Sequence, residues 1–275
     1  MRGSCFSATS ALALLLCVAI ASAASGQGGS SKDMKLFVFT PECFETFFTR
    51  FDFFDAPCLK ITISKALSYA IIAGAVVLKL PQILKIASAG SVQGLAALTF
   101  YCDVLIFSCS AGYSYLRGFP FSTYGEELVI LAQNIFLVLL LWKYADPAKG
   151  TAHILLAVGI WGGFVFWMLG LDPKGEVVTM LPVATIIATA LARCPQVYAN
   201  YSQGHTGQLS IVSTGLNWVG SLARIFTTLT ELSDTLKLMG YVVSASLNLV
   251  LIVQMLWYWT ATKNATAATA EKKAK

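Results

Sequence analysis

Apolar residues in this chain gather into seven long stretches parted by short polar turns, a pattern that predicts helices crossing a membrane. The stretches fall near residues 62–84, 96–116, 125–144, 152–171, 176–201, 209–231 and 238–260. Each approaches the roughly 20 apolar residues that span a bilayer core. The connections are brief: Ser88 to Gly90, Arg117 to Ser122, Asp146 to Gly150, Asp172 to Gly175, Gln203 to Gly207, and Ser233 to Asp234. Short links make consecutive helices antiparallel neighbours. Ahead of them, Phe44, Phe47, Phe48, Phe51 and Phe54 recur at helical spacing, with Glu45, Thr49, Arg50 and Asp52 between them. This predicts a helix over 41–54 that either lies in the membrane interface or packs on the bundle.

A Pro-Gln step occurs twice inside the apolar stretches. Lys79-Leu80-Pro81-Gln82-Ile83 is followed by Ser88, Gly90 and Leu95; Arg193-Cys194-Pro195-Gln196-Val197 is followed by Ser202, Gly204 and Leu209. Every matched pair lies 114 residues apart, without gaps. Proline in a helix frees a backbone carbonyl and bends the rod. Pro81, Gln82, Pro195 and Gln196 are therefore hinge candidates, the glutamine amides being placed to satisfy freed backbone groups nearby. Two bends at equivalent places suggest a duplicated bundle rocking around a central site. The fold class expected is an all-α polytopic membrane protein. Its seven transmembrane helices form two parallel three-helix-bundle repeats (62–144 and 176–260) joined by a linker helix (152–171). A leader (1–24), a lumenal segment (25–61) that opens on a Gly/Ser-rich lead-in, and a basic tail (261–275) complete the chain.

The same offset relates polar residues in the spans. Asn134 in the third helix of the first triplet maps onto Asn248 in the second, and Asp103 in the second helix maps onto Asn217. Polar groups at membrane depth usually face a bundle interior or a cavity. Asn134 and Asn248 are candidates for binding hydroxyl or phosphate oxygens, or else form interhelical hydrogen bonds. A carboxylate at mid-span costs roughly 2.5–3.5 kcal/mol on insertion scales, so Asp103 either contacts substrate or protons, or forms a structural ion pair or hydrogen bond; Asn217 is a further candidate for substrate binding. Arg224 can snorkel to the lumenal end or grip a phosphate by a bidentate contact. Lys79 and Arg193 precede the prolines, as anchors of the bends or attractors of an anionic headgroup. His205 stands in a loop and has no evident catalytic partner.

Composition supports the class. Of 275 residues 56% are hydrophobic and 12% charged, against about 25% charged in soluble domains. The net charge of +5 comes from scattered Lys and Arg, which argues against nucleic acid. Residues 1–24 resemble a secretory signal peptide: Arg2, an apolar Ala11–Ile20, then Ala21-Ser22-Ala23. An uncleaved anchor is the alternative. Seven cysteines include Cys43 and Cys58, which an oxidising lumen would allow to pair or leave as thiols. Loop lysines favour a lumenal amino terminus and a cytosolic carboxyl terminus. The sequons at Asn200 and Asn264 then lie on the wrong side for glycosylation. No metal cluster, nucleophile motif or phosphate loop stands out. The chain reads as a non-enzyme without metal or cofactor.

These residues resemble the PQ-loop superfamily, which includes sugar and amino-acid transporters, and within it the mannose-P-dolichol utilization defect family. The matching stretches are Pro57-Cys58-Leu59-Lys60, Lys79-Leu80-Pro81-Gln82, Gly204-His205-Thr206-Gly207-Gln208-Leu209-Ser210, Gly220-Ser221-Leu222-Ala223-Arg224-Ile225-Phe226-Thr227, Tyr258-Trp259 and the dilysine tail with Lys272 and Lys273. Coverage runs from about Pro41 to the end. The resemblance implies an endoplasmic-reticulum protein, retrieved by its dilysine tail. Its role would be to let lumenal glycosyltransferases use dolichol-phosphate mannose and glucose for N-glycan precursors and glycolipid anchors. Membrane lipid, dolichol-phosphate sugars and glycosyltransferases are the partners implied. Transport of a small solute and a non-transporting scaffold are the competing readings.

Overall fold

The computed structural model describes residues 39–92, 97–144, 151–206 and 211–263. The leader, the Gly/Ser-rich lead-in, Leu95, Leu209 and the dilysine pair Lys272 and Lys273 lie outside the described residues. Among the described residues nearly every element is helical: α1 (Pro41–Phe48), α2 (Ala56–Leu78), α3 (Leu80–Ala89), α4 (Ala97–Leu116), a 3-10 turn (Phe121–Thr123), α5 (Gly125–Tyr144), α6 (Thr151–Leu169), α7 (Glu176–Gln203), α8 (Ile211–Glu231) and α9 (Thr235–Trp257). Two compact units form, Met1–Leu181 and Pro182–Lys275.

Local chemistry sets the ends. Thr40 and Asp55 cap α1 and α2 by accepting from the backbone N–H groups of Cys43 (3.4 Å) and Cys58 (3.0 Å). A proline stands in the first turn of each. Gly90 ends α3 in the left-handed region at φ 62°, which a glycine adopts without strain. Asp234 caps α9 through the N–H of Lys237 (2.8 Å). The aromatic helix is shorter than its spacing predicts. It stops at Phe48, and Phe51 turns to φ 55°, so Phe51 and Phe54 belong to the following turn. A disulfide joins Cys43 to Cys58 with Cα atoms 5.2 Å apart, tying α1 to the start of α2.

In the first unit α5 packs against both α2 and α4. Ile83 and Ile86 of α3, Phe100 and Val104 of α4, and Leu137, Leu141 and Trp142 of α5 share one core. Ile72 and Ala75 of α2 meet Val129 of α5 in another cluster. The linker helix α6 joins this unit through Met168, which packs with Tyr113, Val178 and Leu181. In the second unit α8 and α9 run antiparallel through a short link. The residues α8 buries are polar (Thr214, Ser221, Arg224, Thr227 and Thr228), while α9 buries Lys237, Ala245, Asn248, Leu251 and Met255.

Among the described residues, five helical stretches are long and apolar enough to cross a membrane: Ala56–Ala89, Gly125–Tyr144, Ala152–Leu169, Glu176–Gln203 and Thr235–Trp257. The chain is thus a multi-pass membrane protein. The helices that fall short, α4 and α8, have the length (20 and 21 residues) but carry more polar side chains. They occupy the same place in the two triplets. The two prolines are not equivalent hinges, a correction to the symmetric expectation. The helix breaks at Lys79 (φ −101°, ψ −2°), directly ahead of Leu80-Pro81. By contrast α7 continues through both Pro182 and Pro195.

Candidate functional site

The break before Pro81 strips the last carbonyls of α2 of their helical donors. One is met from across the bundle: Gln133 Nε2 of α5 donates to the Val76 carbonyl (2.7 Å). Gln82, expected to do this locally, is half-buried and makes no such bond among the described residues.

At the same break Lys79 turns inward. Its ammonium donates to Asp103 Oδ2 of α4 (2.8 Å) and to Asn134 Oδ1 of α5 (2.6 Å), and stands 5.9 Å from the centre of the Phe100 ring. Lys79 and Asp103 keep side-chain exposures of 18% and 27%, whereas Asn134 is fully buried. Pairing offsets the cost of placing a carboxylate in a span. Asp103 therefore takes the ion-pair alternative, with a cation the sequence reading assigned only to anchoring or headgroup attraction. Lysine only donates, so the Asn134 amide must turn its oxygen toward Nζ. Its Nδ2 is left without a hydrogen-bond partner among the described residues.

The second unit builds its polar centre differently. Asn248 is 2% exposed, and its Nδ2 donates to the Ser244 carbonyl (2.8 Å) on its own helix. Its Oδ1 has no partner among the described residues. Ser244 and Ser221 of α8 share a hydroxyl contact of 3.1 Å. Asn217, the counterpart of Asp103, is exposed, and Arg193, the counterpart of Lys79, is half-buried without an ion pair among the described residues. Arg224 is buried at 4% exposure. It is packed away, which does not fit the snorkelling alternative.

Sequence reasoning missed a chain of amides in this unit. Gln196 Nε2 donates to Asn200 Oδ1 (2.9 Å), Asn200 Nδ2 donates to Gln254 Oε1 (3.0 Å), and Gln254 Nε2 donates to the Val197 carbonyl (2.9 Å). Gln196 thus serves a side chain, not the freed backbone. Asn200 is buried and committed to this chain, so its sequon is sealed by packing as well. The signal was present: amides inside apolar spans had already singled out Asn134 and Asn248.

The PQ loop repeat family matches the chain at residues 63–123 and 177–236, segments that start at the same 114-residue offset. Two segments of the chain are thus similar to PQ-loop repeats. A curated human relative, Solute carrier family 66 member 3, is 27% identical over 182 residues, covering 66% of this chain and 87% of its own length. No solved structure matches. The matched segments hold Lys79, Asp103, Asn217, Arg224, Pro81 and Pro195, while Asn134 and Asn248 lie just beyond the end of the first and second match.

Proposed function

We propose that this PQ-loop protein spans the endoplasmic-reticulum membrane seven times, with its amino terminus lumenal and its tail cytosolic. It enables lumenal glycosyltransferases to use dolichol-phosphate mannose and glucose, by presenting or flipping the lipid-linked sugar. The observation that carries this reading is a buried amide at the same offset in each repeat, Asn134 and Asn248, each with one hydrogen-bonding end unused among the described residues. The spare donor of Asn134 suits a phosphate or sugar oxygen, and the spare acceptor of Asn248 suits a sugar hydroxyl. The resemblance in the Gly204–Ser210 and Gly220–Thr227 stretches directs the reading to lipid-linked sugars. Polar α4 and α8 complete the seven crossings, since helices lining a polar interior tolerate such residues. The Cys43–Cys58 disulfide favours an oxidising compartment for the segment ahead of α2.

Deleting the gene tests this. Lumenal mannosylation fails while dolichol-phosphate mannose continues to be made, and normal N-glycan precursors in the deletion would refute the reading. The solute-carrier name of the human relative favours a second reading, a facilitator of small soluble substrates. Uptake of free hexose or cystine into proteoliposomes, abolished by Asn248→Ala, would select it. Full rescue by a double Asn134→Ala, Asn248→Ala variant would instead mark a scaffold for glycosyltransferases.

A further inference from the structure

We propose that Lys79 and Asn134 form a subsite for a phosphate ester, and that the Asp103 carboxylate occupies it in the ligand-free protein as an internal substitute. The proposal deepens the lipid-linked sugar reading and rests on it only for the identity of the molecule that carries the phosphate.

Three features point to an exchangeable anion rather than a fixed strut. Lys79 directs its ammonium at one carboxylate oxygen, Asp103 Oδ2. Asp103 makes no contact that satisfies Asn134 Nδ2, which stays buried without an acceptor among the described residues. A buried donor without a partner is costly. A phosphate ester carries several strong acceptor oxygens and satisfies the ammonium and the amide together, whereas the carboxylate serves the ammonium alone. Second, the two charged groups keep partial exposure, 18% and 27%, so an anion reaches the pair before the sealed amide. Third, Lys79 sits where α2 and α3 part, and α3 begins without a side-chain cap. The cation is therefore mounted on the break in the helix. Lysine is a good phosphate partner as a compact point charge. The second repeat does not duplicate the arrangement, because Asn248 Nδ2 is already committed to the Ser244 carbonyl and Asn217 is neutral.

The test uses the full-length protein in lipid nanodiscs, with dolichyl phosphate in the bilayer as one probe and mannose 1-phosphate in solution as the other. Free mannose is the uncharged control. Lys79→Met is expected to weaken binding of a phosphate ester by about tenfold or more, and Asp103→Asn to strengthen it several-fold by removing the competing anion. An ion pair with a purely structural role predicts that both variants lose binding together, and that result overturns the proposal, as does no change in either. A measurement on the unmutated protein covers the case in which Asp103→Asn does not fold. Infrared difference spectra with isotope-labelled aspartate should show the carboxylate band shifting when the ester binds, and no shift overturns the proposal. Binding of mannose 1-phosphate but not dolichyl phosphate would keep the subsite and remove the lipid carrier. Lys79-independent binding of both would remove the subsite, leaving the glycosylation reading to be judged by deletion and rescue.

Discussion

In the first repeat the third helix is wrapped by aromatic and aliphatic side chains; in the second, the facing helices bury hydroxyls, an amide and a guanidinium. Of the α5 span 61% is buried, against 22% of its counterpart α9. Duplication has kept the places of the polar residues while changing their partners. Lys79 is paired with Asp103 at a broken helix. Arg193 precedes a proline inside an intact one, braced by Gln196, Asn200 and Gln254. The same proline-bearing motif thus follows a helix break in one repeat and lies inside a continuous helix in the other. The first repeat centres on an ion pair at a broken helix, whereas the second buries the Arg224 guanidinium and gathers amides and hydroxyls.

Four changes sharpen or break this contrast. The largest effect is expected at the cap of the first repeat, which has no described counterpart in the second. The disulfide closes a sequence separation of 15 residues, so opening it with Cys58→Ser should cost about 3 kcal/mol by the chain-entropy argument. Thermal unfolding reads this cost, and an unchanged midpoint would show that α1 does not stabilise the unit. Next, Lys79→Met should lower use of lipid-linked mannose about tenfold, or about 1.4 kcal/mol, while Arg193→Met should change it less than about twofold. Equal losses, scored by glycosylation of a reporter in deletion cells, would make the repeats equivalent after all. Third, Gln254→Leu removes two bonds and Gln133→Leu one. With interhelical bonds worth about 0.6 kcal/mol on average, denaturation should show roughly twice the loss for Gln254→Leu. Last, Asn217→Ala, at an exposed site, should stay within about 0.5 kcal/mol of the parent; a larger loss would mean Asn217 has a packed role like that of Asp103.

The helices were legible in the sequence because apolar periodicity is a local property. The stretch expected at 125–144 coincides with Gly125–Tyr144, and 96–116 begins one residue before Ala97–Leu116. The aromatic helix was overextended because phenylalanine spacing continues past Phe48 although the backbone turns at Phe51. For the site, the offset identified Asn134, Asn248 and Asp103 as equivalent or paired positions. It carried no information on side-chain direction, and direction decides that Lys79 meets Asp103 from 24 residues away while Asn217 is exposed in its own unit. The amide chain of Gln196, Asn200 and Gln254 has no mate in the first repeat, so an argument from symmetry passes over it. For Arg224 the sequence left two readings open, because distance to a helix end says nothing about what surrounds the guanidinium.

The central claim is the proposed one, that this protein acts on a lipid-linked sugar. Proteoliposomes containing labelled mannose-phosphate-dolichol measure this most directly, by transbilayer movement or by delivery to a lumenal mannosyltransferase. The expected result is that the protein accelerates at least one of these, that Asn134→Ala and Asn248→Ala remove the acceleration, that Lys79→Met lowers it about tenfold, and that Arg193→Met preserves it. Equal rates with and without the protein in both measurements would contradict it.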